Sequence, residues 1–158
     1  MSRAKGKMHQ VSVVATKQGD KTNFTAGSEL WDEPNGALRF HKDHHGMRKH
    51  DYHLVEFVLD DRTGDGLKFP AVPHDAMWVS KADEGRSSCP NKDTISDYEV
   101  LEPICVCDAG ERLIVRNDNP RKEDWAFTLN FVKRGESEED TERYVSWDPI
   151  TQNQNGGN

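Results

Sequence analysis

Trp125-Ala126-Phe127-Thr128-Leu129-Asn130-Phe131-Val132 is the stretch on which the fold turns. Trp125, Phe127, Leu129 and Phe131 recur at every second residue, with Ala126, Thr128, Asn130 and Val132 between them. A strand turns successive side chains to opposite faces, so this pattern gives one aromatic face and one mixed face. An acidic loop follows, then Tyr144-Val145-Ser146-Trp147 and Asp148-Pro149-Ile150-Thr151. Tyr144 to Trp147 reads as the strand that closes the sheet. Asp148-Pro149 is expected to end it, because Pro has no N–H for the ladder and Asp satisfies local backbone donors.

The same alternation recurs upstream. Val11, Val13 and Ala15 share one face of a strand from about Met8. His53, Val55, Phe57 and Leu59 share one face of the strongest strand in the first half, Tyr52 to Asp60. Shorter strands are expected near Asn23 to Asp32, Ala37 to Phe40, Leu67 to Phe69, Ala76 to Val79, Val100-Leu101, Ile104 to Cys107 and Leu113 to Val115. Turn signals separate them: Pro34-Asn35-Gly36, Asp60 to Gly66, Asp108-Ala109-Gly110 and Asn117 to Pro120. No window of helical length carries an apolar stripe at helical period. About seven to nine short strands at this spacing predict an all-β protein, a single-domain antiparallel β-sandwich of immunoglobulin-like kind. Val11, Val13, Val55, Phe57, Leu59, Phe127, Leu129 and Phe131 are its expected core. Residues 1–7 and 152–158 read as disordered ends around a domain at 8–151.

Composition bounds the function. The 158 residues are 34% hydrophobic and 31% charged, enough for one domain with a proper core. A net charge of -7 argues against nucleic acid, which asks for a clustered Lys/Arg surface. Apolar runs are too short to cross a membrane, and no apolar core follows the basic N-terminus as a signal peptide requires. The expected compartment is the cytoplasm. Three cysteines, an odd number, suit it, since they suggest no disulfide framework.

From about Asp60 to Asn153 the order of signals resembles the DP-EP family, a small family of uncharacterised bacterial proteins. The residues that carry the resemblance are Thr63-Gly64-Asp65-Gly66-Leu67-Lys68-Phe69-Pro70, Glu102-Pro103, Ala126-Phe127-Thr128-Leu129-Asn130-Phe131 and, above all, Ser146-Trp147-Asp148-Pro149-Ile150-Thr151-Gln152-Asn153. The resemblance implies an immunoglobulin-like or cupredoxin-like sandwich. It implies no activity and no site.

The strongest chemical signal lies upstream of that resemblance. His41, His44, His45, His50 and His53 place five imidazoles within thirteen residues. Neutral imidazole is the commonest metal ligand, so the loop 41–53 is a candidate site for Zn, Ni or Cu. The plainer reading is a solvated loop with weak metal affinity, because the spacing matches no known motif. Cys105 and Cys107, two apart on one strand, would suit a soft ion, or simply pack as small hydrophobes. Asp60 to Gly66 echoes a calcium loop but lacks its closing Glu, so a turn is expected. Trp31, Trp78, Trp125 and Trp147 read as core before ligand pocket. The acidic run from Glu136 to Glu142 reads as a solvated loop, with a docking surface for a basic partner as the lesser reading.

No nucleophile elbow, P-loop or dinucleotide glycine fingerprint occurs, so no enzyme and no catalytic residue is expected. The expectation is a non-enzymatic interaction or structural module of unknown protein partner, self-associating through a sheet edge. The alternative is a divalent-metal-binding protein using the His-rich loop.

Overall fold

The computed structural model describes residues 6–32, 37–41, 52–81, 101–118, 123–147 and 150–154. In chain order the strands are β1 (Gly6–Gln18), β2 (Lys21–Gly27), β3 (Trp31–Asp32), β4 (Ala37–His41) and β5 (Tyr52–Asp61). A single helical turn, α1 (Pro73–Ala76), precedes β6 (Met77–Lys81), β7 (Leu101–Cys107), β8 (Arg112–Asn117), β9 (Glu123–Phe131), β10 (Val145–Trp147) and β11 (Ile150–Gln154).

The strands form two sheets, as the all-β expectation requires. One sheet has the order β2-β1-β5-β8-β7. In the other, β9 is flanked by β6 on one side and by β10 and β11 on the other, and β4 and β3 follow beyond β11. Two pairings depart from the antiparallel expectation. β1 runs parallel to β5 over ten residues, Gly6↔Tyr52 through Ala15↔Asp61, and β4 runs parallel to β11.

Local chemistry explains the elements. β1 turns into β2 through Gly19-Asp20, with Gly19 at φ +62° in the first central position. That positive φ is what a two-residue hairpin of the II′ kind asks of its glycine. In β5 burial alternates without a break, and His53, Val55, Phe57 and Leu59 all face inward. All eight expected core residues are buried. The sheets meet where Phe57 faces Phe127 at 6.0 Å between ring centroids, and Phe69 packs on Phe131 at 4.7 Å. Such aromatic pairs add to the burial of apolar area that drives folding.

Some expectations change. Asp148-Pro149, expected to end the closing strand, lies outside the described residues, and β10 stops directly before it at Trp147. β10 leaves β9 at Trp147↔Leu129, β11 rejoins it at Ile150↔Ala126, and the register is the same on both sides. β11 then reaches Gln154, inside the stretch expected as a tail, because a parallel partner in β4 takes up its other edge. At the other end β1 begins at Gly6, two residues before the expected Met8. Ala76 is helical rather than extended, since Pro73 suits the first turn of a helix. Leu67 to Phe69 makes only a bridge, Lys68↔Val132.

The second face of β9 is covered too. Thr128 and Asn130 are buried like their neighbours. Asn130 donates its amide N–H to the Asp75 carbonyl at 2.9 Å and accepts from Ser146 Oγ at 2.7 Å, which ties α1 and β10 to the strand. Tyr144 lies against Trp78, ring centroids 6.0 Å apart, and donates its hydroxyl to the Glu138 carbonyl at 2.5 Å.

Candidate functional site

The parallel pairing of β1 with β5 sets His9 opposite Val55 and Lys7 opposite His53. His9 and His53 therefore sit diagonally on the inner face of the sheet, at the end of β5 where the His-rich loop joins it. His9 Nε2 lies 2.8 Å from His53 Nδ1, and the rings are tilted by 35° at 5.0 Å. Both residues are closed from solvent, at 3% and 0% exposure. On its other side His9 Nδ1 meets Glu29 Oε1 at 3.2 Å, with the Glu29 carboxylate exposed. Asn117, opposite His53 on β8, is also buried. The inner face thus grades from an apolar centre to a polar end.

A neutral imidazole offers one donor and one acceptor, so each ring of the pair takes one role toward the other. Protonated, His9 would donate to Glu29 and to His53 at once. A metal ion that took the place of the shared proton would need the two nitrogens to part, to about 3.3 Å for tetrahedral bonds near 2.0–2.1 Å. Deprotonated imidazole nitrogens in a fixed pair are chemically suited to that exchange.

Of the five expected ligands, only the side chain of His53 is described. His41 closes β4, paired with Gln154. The side chain of His41, and His44, His45 and His50 altogether, lie outside the described residues. Among the described residues no group of three or more His, Cys, Asp or Glu is arranged to hold a metal. His9 escaped the sequence reading, although the alternation of Val11, Val13 and Ala15, extended two residues back, points to it. What alternation does not carry is which strand lies alongside.

Asp61 confirms that Asp60 to Gly66 is a turn and explains why. One Asp61 oxygen accepts the Thr63 N–H at 2.9 Å and the Thr63 hydroxyl at 2.5 Å, and the other accepts the Leu67 N–H at 2.8 Å. Burial pushes the Asp61 carboxyl up, but the hydrogen bonds from Thr63, Leu67 and Gly66 outweigh it and hold the group below the usual value.

Cys105 and Cys107 are free thiols, and Cys89 lies outside the described residues. Trp31 and Trp147 are half-buried against each other at 5.5 Å, Trp78 is buried, and the Trp125 side chain is outside the described residues. Glu138 of the acidic run accepts the Ala71 N–H at 2.5 Å and stands 3.6 Å from Lys68, which anchors that loop to the domain. Among the described residues no helix is long and apolar enough to cross a membrane. No protein-family model and no curated protein matches the chain.

Proposed function

We propose that this protein is a non-enzymatic interaction module that pairs with a second copy of itself through β2. The carrying observation is a difference between the two edges of the five-stranded sheet. β7 bears Pro103 and a register shift just beyond it, devices that blunt an edge. β2 has neither. Its seven residues keep unbroken register with β1 from Lys21 to Gly27, contain no proline and carry one charge, Lys21. Among the described residues no strand pairs with the outer edge of β2, and a regular edge of low charge is a template for an antiparallel strand.

Light scattering after size exclusion tests this at several protein concentrations. The expected result is a dimer that a lysine at the exposed Thr25 converts to monomer. A strict monomer across the range ends the self-association reading. On the same reading the sandwich is immunoglobulin-like, the stretch Asp60 to Asn153 is DP-EP-like, and the protein works in the cytoplasm, which the free Cys105 and Cys107 favour.

A second reading has its own support in the His9–His53 pair: divalent Zn, Ni or Cu held by these two imidazoles with His41, His44, His45 or His50. Elemental analysis of untagged protein, then melting with EDTA and with each ion, tests it. Stoichiometric metal, and a melting temperature lowered by the chelator and restored by one ion, is the expected result. Metal-free protein whose melting no ion shifts overturns it.

A further inference from the structure

β7 lies at the sheet edge, and its register against β8 shifts between Pro103 and Cys105. Ahead of the shift, Leu101 and Pro103 oppose Asn117 and Val115 and are buried on the inner face. Beyond it, Cys105 opposes Ile114 and Cys107 opposes Arg112, both on the outer face of β8. Unbroken alternation would have carried the cysteines inward behind Leu101 and Pro103. The extra residue, Ile104, turns them outward instead.

The two half-buried thiols then share the outer face of β7, and neither is in a disulfide. Bridging them is unfavourable: residues two apart on a strand are about 6.6 Å apart, near the upper limit for a disulfide. A soft metal ion imposes no S–S torsion. Two sulfurs also meet the low coordination number of monovalent copper, whereas zinc asks for four ligands.

We propose that Cys105 and Cys107 form a two-thiolate clip for a thiophilic ion, monovalent copper. Each thiol gives up its proton as its Cu–S bond forms, and no oxidation state changes. Arg112 stands opposite Cys107, its guanidinium paired with Asp108 at 2.7 Å and with Glu56 at 2.8 Å.

The test uses the full reduced chain with Cu(I) supplied anaerobically from a bicinchoninate complex. Wild type should withdraw one equivalent of copper and release two protons. C105S and C107S should each bind at least about 100-fold more weakly, while C89S should match wild type. No uptake by wild type, undiminished affinity in C105S or C107S, or loss in C89S overturns the proposal. Iodoacetamide footprinting of wild type needs no variant to fold. Bound copper should protect Cys105 and Cys107 but not Cys89, and equal labelling with and without copper also overturns it.

Discussion

His9 Nε2 and His53 Nδ1 lie 2.8 Å apart across a parallel strand pair, and neither ring meets solvent. A hydrogen bond so enclosed is costly to break from one side only, because the remaining ring keeps its polar atom and loses its partner. His53→Leu should therefore lower stability by about 1–3 kcal/mol, read as a drop in the urea midpoint. Replacing His9 as well should cost less than the two single changes added, since the partner left stranded by each is now removed. Simple additivity would show that the two rings are not coupled.

Asp61 gives a second expectation, at the acid side. Its folded value lies below the ordinary carboxylate value of 3.8, so its contribution is present above 3.8 and is lost as pH falls through the folded value. Asp61→Asn should flatten the acid limb of the stability–pH curve and lower the melting temperature at pH 7. An acid limb identical in the variant would place the linked group elsewhere.

Tyr144 sets an expectation at the alkaline side. Burial, then the Asp75 and Glu138 charges, push its hydroxyl up to about 12 from 10.0. The folded value is raised, so the stability it contributes is full below pH 10 and is lost as pH rises through about 12. Of the three tyrosines, one should ionise near 12 in the absorbance titration, and Tyr144→Phe should remove that step. The variant also frees the Glu138 carbonyl, at a cost of about 1 kcal/mol.

The turn from β7 to β8 bears a backbone test. Gly110 sits at φ +90°, and a Cβ there would come within 2.8 Å of Lys68 Cβ and 3.0 Å of the Phe69 carbonyl. Gly110→Ala should destabilise by more than about 1 kcal/mol, from the left-handed backbone and the clash together. Ala109, at φ +55°, lacks a glycine's freedom, so Ala109→Gly should instead raise the melting temperature. Thermal melts of the two variants should shift in opposite directions.

Much of this architecture is legible in particular residues. Phe127, Leu129 and Phe131, like His53, Val55, Phe57 and Leu59, announce an inward face because side-chain direction in a strand follows parity alone. The turns at Asp60 to Gly66 and Asp108 to Gly110 were equally readable, because turn chemistry is local. The candidate site was half legible. His53 stood out by its neighbours in sequence, while His9, forty-four residues away, was marked only by the alternation of Val11, Val13 and Ala15, which does not name His53 as its partner. The outward turn of Cys105 and Cys107 was not legible either, since a bulge at Ile104 reverses the parity that alternation assumes.

The sequence by itself thus determined which residues enter strands, which faces of those strands are apolar and where the chain turns. These follow from the two-residue period of extended backbone and from local hydrogen bonding. Only the tertiary structure decided which strands are neighbours: β5 parallel to β1, β11 between β9 and β4, and β10 and β11 in one register against β9. Pairing is a contest among backbone edges that all offer the same N–H and C=O groups. The packing of both sheets around Phe57, Phe127 and Phe131 resolves it, and no local stretch contains that information.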